Sequence, residues 1–170
     1  NKKIISIEKL MLILKSRKQK VALSHGVFDV LHIGHKRYFE VAKSYADILV
    51  VSITADKFVK KGPSRPFFNQ NIRSEMVASL DMVDYVVLSN SETAVNVILK
   101  LKPNFYVKGQ DYKNLKSDIT KNIFKEKKAV EKNNGQLIFT DEIQFSSSNI
   151  INSFFKPDLI LDDVKKLNLN

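Results

Sequence analysis

The sequence predicts an α/β protein built on an open, parallel, five-stranded sheet with helices on both faces. Three observations carry this. Short apolar runs alternate with helical patterns from end to end. The clearest run, Ile48-Leu49-Val50-Val51-Ser52-Ile53, is nearly continuous, as in strands buried on both faces. The first run ends in a glycine turn that opens directly into a helix.

The elements follow in order. Residues 4–14 form an apolar pattern interrupted by Ser6, Glu8 and Lys9, which reads as an amphipathic helix and not as a signal sequence. Val21, Ala22 and Leu23, bounded by Ser24-His25-Gly26, are too short a run for a helix and form the first strand. Tyr38, Val41, Ala42 and Tyr45 recur at helical spacing, so a helix begins near Ile33. After the second strand comes a basic loop over residues 55–68, where Pro63 and Pro66 exclude regular structure. A helix is predicted over 69–80, a strand over 85–88, a helix over 92–101 stopped by Pro103, and a strand over 105–108. A lysine-rich helix should end near Asn133-Asn134-Gly135, with Gly135 as the left-handed stop. The last strand is residues 136–139, and a short helix over 147–155 closes the fold. Right-handed crossovers make a Rossmann-like sheet the economical way to connect this order. The expected division is an N-terminal helix (1–20), one domain (21–155) and a tail (156–170). The tail's Leu159, Ile160 and Val164 suit a linker or a helix packed on a partner.

Composition narrows the function classes. A chain of 170 residues with 44% hydrophobic content suits one domain. Without cysteine there are no disulfides, no thiolate chemistry and no zinc–sulfur site, which suits a reducing, cytoplasmic setting. No apolar stretch approaches the roughly 20 residues that span a bilayer, so no membrane partner is expected. The net charge of +10 would attract polyanions. Much of the excess, however, lies in Lys121, Lys125, Lys127, Lys128 and Lys132, spaced like the solvated face of a helix. Nucleic acid is therefore not the expected partner.

The chemistry concentrates in Gly26-Val27-Phe28-Asp29-Val30-Leu31-His32-Ile33-Gly34-His35. A strand, a glycine turn and a helix start make an anion site, because the first helical N–H groups lack partners and the dipole is positive there. His32 and His35 add two imidazoles on one side, with Gly34 leaving no side chain between them. In open α/β sheets ligands lie beyond the carboxyl ends of the strands, where His25-Gly26, Thr54, Lys108-Gly109 and Thr140 converge.

These residues resemble the HxGH signature of the nucleotidyltransferase superfamily, and the Gly-x-Phe-Asp around them resembles its cytidylyltransferase-like branch. The likeness extends from about Val21 to Phe155. It runs through Lys61-Gly62-Pro63-Ser64-Arg65-Pro66, Asn69-Gln70-Asn71-Ile72-Arg73, Val83-Asp84-Tyr85-Val86-Val87, Val107-Lys108-Gly109-Gln110-Asp111-Tyr112 and Phe145-Ser146-Ser147-Ser148-Asn149. That succession looks like the nucleotidyltransferase domain of the bacterial heptose-phosphate adenylyltransferases, found alone or fused to a sugar kinase. The resemblance implies attack of a sugar-phosphate oxygen on the α-phosphorus of a nucleoside triphosphate, with release of pyrophosphate. Positioning and charge stabilisation then carry catalysis.

The roles it implies are these. His32 and His35 act on the triphosphate. Lys61 and Arg73 complete the catalytic set, with Arg73 also reaching the sugar phosphate. Gly26, Val27, Phe28, Asp29, Gly34, Lys108, Gly109, Asp111, Ser146, Ser147 and Ser148 bind the nucleotide. Lys57 and Arg65 bind the acceptor from a loop that folds over the ligand. Lys60 belongs to the same basic loop, and Lys36 or Arg37 could assist. Asp29 is open to a second reading as a cap at the helix start, and Ser146 or Ser147 likewise. The lysine usual after the serine pair is Asn149 here, which leaves one phosphate-directed charge to the basic loop. Mg²⁺ is expected with the triphosphate, held by phosphate oxygens and water rather than by a carboxylate cage. The partners expected are the two substrates, a second copy of the chain, and a sugar kinase, fused or separate.

Three other readings compete. A CTP-dependent glycerol-phosphate cytidylyltransferase commonly has Arg-Thr-x-Gly before its last motif, whereas this sequence has Asp141-Glu142-Ile143-Gln144. A class I aminoacyl-tRNA synthetase shares His-Ile-Gly-His but needs a longer chain and a Lys-Met-Ser-Lys-Ser loop, absent here. A non-catalytic basic binding domain would have little need of both histidines, the basic loop and the serine run.

Overall fold

The computed structural model describes residues 2–16, 18–62, 64–110 and 122–141. Five strands, β1 (Val21–Gly26), β2 (Ile48–Thr54), β3 (Tyr85–Ser89), β4 (Phe105–Lys108) and β5 (Gln136–Phe139), form one sheet in the order β3-β2-β1-β4-β5. All four pairings are parallel, with Val21 opposite Ile48, Val50 opposite Tyr85, Ala22 opposite Phe105 and Phe105 opposite Gln136. Strand order reverses between β1 and β4, and in open α/β sheets ligands bind beyond the carboxyl ends of the strands at such a point.

Successive side chains along a strand point to opposite faces, and each face builds its own core. On one face Leu10, Leu23, Val50, Ile98, Tyr106 and Val130 pack beneath α1 (Ile7–Leu14), α4 (Val95–Leu101) and α5 (Asn122–Glu131). On the other, Ala22, Phe39, Leu49, Val51, Val77 and Val107 pack beneath α2 (Ile33–Ser44) and α3 (Gln70–Ala78). This two-faced burial is why the strands read as apolar runs, β2 being buried at every position.

Several boundaries differ from expectation for local reasons. Helix α1 starts at Ile7, where the Ser6 side chain accepts the Lys9 N–H, because the residues before it run along β3. Helix α4 starts at Val95 rather than near residue 92, since the Ala94 amide is held by Glu126 instead. A short 3₁₀ turn, Asp56–Phe58, precedes the prolines of the basic loop. After α5 the left-handed residue is Asn134 (φ +59°), not Gly135. Gly135 is required by space, because a Cβ there would lie 2.4 Å from the Pro103 carbonyl oxygen. The final helix, Ser146–Ser148 and the tail lie outside the described residues. Among the described residues no helix is long and apolar enough to cross a membrane.

Candidate active site

The glycine turn has a definite physical basis. Phe28 adopts φ +49°, a left-handed conformation costly for a bulky side chain, and its ring lies back over Gly26. A Cβ on Gly26 would sit 2.9 Å from that ring, so no larger residue fits without displacing it. The buried ring then packs edge-on against His35 (centroids 5.4 Å apart) and against Phe39 (5.1 Å). The strained turn thereby fixes the position of one histidine.

His32 stands at the N-cap of α2 but makes no side-chain capping bond, and the His35 N–H donates to its carbonyl at 2.9 Å. The two imidazoles stack with centroids 3.8 Å apart and planes 27° from parallel. Burial lowers the pKa of His32 below its usual value. Burial, together with the His32 and Lys61 charges beside it, brings His35 down to about 3. Both rings are therefore neutral near pH 7, each with one N–H to donate. The buried Nδ1 of His35 has no hydrogen-bond partner among the described residues. An unfilled polar atom of this kind costs about 1–3 kcal/mol, which a ligand would recover. Gly34, the second residue of α2, lies between the two.

Asp29 does not cap α2. Its side chain, 1% exposed, accepts the Arg65 Nε–H at 2.7 Å through one oxygen and the Phe68 N–H at 3.0 Å through the other. Burial alone would raise its pKa, but the Phe67 and Phe68 amides and the Arg65 guanidinium outweigh that and hold the carboxyl below its ordinary value. Asp29 thus fastens the basic loop to the glycine turn.

Arg73 corrects the sequence expectation. The resemblance sends it to a sugar phosphate, yet it is 0% exposed and its guanidinium is spent on protein acceptors. Nε donates to the Phe68 carbonyl (2.9 Å), Nη2 to the Thr54 carbonyl (2.8 Å) and to Asp56 Oδ1 (2.6 Å), and Nη1 to the Val27 carbonyl. Asp56 and Gln70 add a reciprocal pair, each side chain accepting the other's backbone N–H. Arg73 joins α3, the end of β2, the loop and the turn. It shapes the site from behind.

These anchors also limit the loop. Residues 65–68 are tied to the turn and to α3 through Asp29 and Arg73. Lys61 remains exposed over much of its length, while the loss of solvent around its ammonium and the nearby Arg65 charge lower its pKa, with Asp29 opposing. Lys57 is exposed, its ammonium 4.9 Å from the centroid of the Phe58 ring. Lys60 is paired with Glu92, and Lys36 with Glu40 on the outer surface of α2.

Lys108 is a second departure. Lys108 does stand at the carboxyl end of β4, but the side chain is buried and turned toward α5, with Nζ 3.4 Å from Glu126 Oε2. Gly109 borders open space, since a Cβ added there would meet nothing within 4 Å. Asp111, like Ser146, Ser147 and Ser148, lies outside the described residues.

Glu126 escaped the sequence reading altogether. Buried in α5, it accepts the Ala94 N–H (2.9 Å) and the Tyr106 hydroxyl (2.8 Å) as well as facing Lys108. Its signal was present: Glu126 follows Ile123 by three residues and precedes Val130 by four, on the apolar stripe of the helix. His25, at the end of β1, lies 3.1 Å from Ser52 Oγ on the same face, and burial pushes its pKa to about 4.

No group of three or more His, Asp and Glu side chains among the described residues could hold a metal. Asp29 and Asp56, the carboxylates nearest the turn, are both engaged by arginines.

A family model described as cytidylyltransferase-like matches residues 23–153. The bifunctional protein HldE of Helicobacter acinonychis is 45% identical over 112 residues, covering 65% of this chain and 24% of that protein. Its counterpart in Helicobacter pylori strain J99 is 41% identical over 131 residues, covering 76% of this chain and 28% of that protein. The chain therefore spans about a quarter of the length of these relatives. Among solved structures, a lipopolysaccharide core biosynthesis protein from Thermoplasma volcanium superposes with a TM-score of 0.61 at 22% identity, covering 74% of this chain and 99% of that one. A pantothenate synthetase from Thermus thermophilus gives 0.64 at 14% identity, covering 92% and 68%. These two share the fold. Because the family match runs from β1 through β5 and takes in the turn and both histidines, the chain belongs to the cytidylyltransferase-like family.

Proposed function

We propose that this chain transfers the adenylyl group of ATP to a heptose 1-phosphate, forming ADP-heptose and releasing pyrophosphate. The nucleotidyltransferase class follows from family membership. The observation that carries the reading is the stacked, neutral histidine pair at the start of α2, pressed against a strained glycine turn. An oxygen of the acceptor phosphate attacks the α-phosphorus. The new P–O bond forms as the bond to the α–β bridging oxygen breaks, and pyrophosphate leaves. The attacking oxygen is already ionised, so no general base is needed. His32 and His35 donate to phosphate oxygens whose charge grows in the transition state, and the free amides at the start of α2 add to them. Lys61 supplies positive charge from the loop. Gly109 leaves room for the nucleotide and Gly26 makes room for the Phe28 ring that shapes the turn, while Asp111 and Ser146–Ser148 remain candidates on sequence alone. Lys57 and Arg65 are the loop's candidates for the acceptor.

The metal is Mg²⁺ in this reading. It would come with the triphosphate and offset part of its charge, and because Asp29 and Asp56 are engaged by arginines, phosphate oxygens and water would have to hold it. The similar HldE proteins are bifunctional, which fits a sugar kinase, fused or separate, that supplies the acceptor. A second copy of the chain and a cytoplasmic setting complete the proposal.

ATP is favoured over CTP because Asp141-Glu142-Ile143-Gln144 has no arginine. Pyrophosphate release with saturating heptose 1-phosphate tests this. ATP should outperform CTP, and a clear preference for CTP would replace the reading with a cytidylyltransferase one.

A further inference from the structure

We propose that Tyr38 is a positioning residue for the reaction: its hydroxyl, bound to the Val107 carbonyl, holds the start of α2 and the histidine pair in place against the end of β4. This rests on the nucleotidyltransferase reading above and concerns how its histidines are held, not what they touch.

The tether stands where one strand ladder ends. β1 and β4 pair from Ala22–Phe105 as far as Ser24–Val107, while His25 and Gly26 go on paired with β2. The ladder between β1 and β4 thus stops one residue short of the end of β4. The Thr140 N–H holds the Lys108 carbonyl toward β5. Successive carbonyls of a strand point to opposite sides, so the Val107 carbonyl faces β1. Tyr38 reaches that carbonyl from α2 at 2.6 Å, a short O–H···O bond. Val107 is fully buried, and in such surroundings a made hydrogen bond is firm and a missing one is costly.

Tyr38 follows His35 by three residues, so the two are neighbours one turn apart on the helix surface. The Phe28 ring grips His35 and also meets Phe39, and His32 stacks on His35. Those contacts fix the pair relative to the glycine turn at the end of β1. Tyr38 adds a second bearing, to β4, across the reversal of strand order. The far end of the same helix is anchored separately, at the amino ends of β2 and β3. There Lys43 donates to Asp84 Oδ2 at 2.6 Å, and Asp84 also accepts the Leu49 N–H at 2.7 Å. The helix therefore has a polar anchor near each end, and the Tyr38 anchor is the one beside the histidines. Reacting groups need placement to a fraction of an ångström, and a displacement of about 1 Å can lower turnover about a hundred-fold.

Tyr38→Phe keeps the ring and removes only the hydroxyl, so the full chain should fold. Its kcat for pyrophosphate release with ATP and heptose 1-phosphate should fall about ten- to a hundred-fold. The KM for each substrate should stay within about three-fold of wild type, because a displaced donor weakens contacts made in the transition state. Lys43→Met frees the other end of α2 and should leave kcat within about two-fold, since losing a partly exposed ion pair acts on stability. A second arm needs no turnover. The chain has three histidines, so their ring-proton signals can be followed singly by NMR. Stacked rings shift each other's signals, and those of His32 and His35 should move in Tyr38→Phe but not in Lys43→Met. A kcat near wild type in Tyr38→Phe, or an equal loss in Lys43→Met, would make Tyr38 scaffold only and overturn the proposal. A larger rise in either KM would place Tyr38 on a substrate and overturn it too. Unmoved His32 and His35 signals in Tyr38→Phe would show that the hydroxyl does not position the pair. Should the wild type release no pyrophosphate with any sugar phosphate, the functional reading fails, and the NMR arm still decides whether Tyr38 holds the histidines.

Discussion

Two buried polar clusters flank the carboxyl end of the sheet, and they differ in how fully their hydrogen bonds close. Under α4 and α5, Glu126 takes the Ala94 amide, the Tyr106 hydroxyl and the Lys108 charge. Under α2 and α3, the cluster of Asp29, Arg65 and His35 leaves polar atoms over, with His35 Nδ1 and Arg65 Nη2 unfilled among the described residues. Both clusters sit in apolar surroundings, where an unmade hydrogen bond is costly. The closed cluster has met that cost within the protein and holds the framework. The open one has not, and its remaining polar atoms border the place where a polyanion would lie. Completeness of bonding, more than burial or charge, separates scaffold from site here.

The largest expected effect comes from breaking the closed cluster. Glu126→Ala removes the carboxylate that accepts an amide and a hydroxyl and faces a lysine charge inside the protein, and should cost about 3–5 kcal/mol of stability. Urea denaturation measures it, and a loss below about 1 kcal/mol would show that the cluster is not the framework it resembles. The open cluster should respond the other way. His32→Ala and His35→Ala should each lower turnover by about 10²–10³-fold while leaving the urea midpoint close to wild type. Near-normal turnover in either variant would remove the histidines from the chemistry.

Acidity sharpens the comparison. His25 and His35 have folded pKa values of about 4 and about 3, below the 6.5 of an unperturbed histidine. Between those values and 6.5 the unfolded chain binds the extra protons. Their contribution to stability is therefore complete above about pH 6.5 and is lost as pH falls, at about 1.4 kcal/mol per pH unit for each. Urea midpoints at pH 7, 6 and 5 should decline accordingly, and His35→Ala should remove about half the slope. A flat profile would mean that the rings are not held neutral by burial.

The sequence carried the architecture because each signal was local. Apolar runs marked all five strands, and the turn and the two histidines were legible as a helix start. Directions across the fold were harder. Arg73 looked like a ligand through its resemblance to a family arginine that reaches the sugar phosphate, yet it shares the buried face of α3 with Val77, four residues on. Lys108 stands at the predicted strand end, but strand alternation puts it on the Tyr106 side, where a carboxylate from α5 awaits it. That carboxylate was hidden in a lysine-rich helix read for its solvated face. The partner of Asp29 lies 36 residues away, and no pattern along the chain announces such a pairing.

The residues ahead of α1 have a consequence outside catalysis. Strand β3 stands at the edge of the sheet, and Val86 would otherwise offer bare backbone groups along that side. The Ile5 N–H donates to the Val86 carbonyl, the Val86 N–H donates to the Lys3 carbonyl, and the Lys3 ammonium reaches the Leu80 carbonyl. Three residues thus shield an edge that could recruit a strand from another chain. Trimming or tagging the protein at that point would be felt first in aggregation and recovery during purification, well before any change in the rate of the reaction.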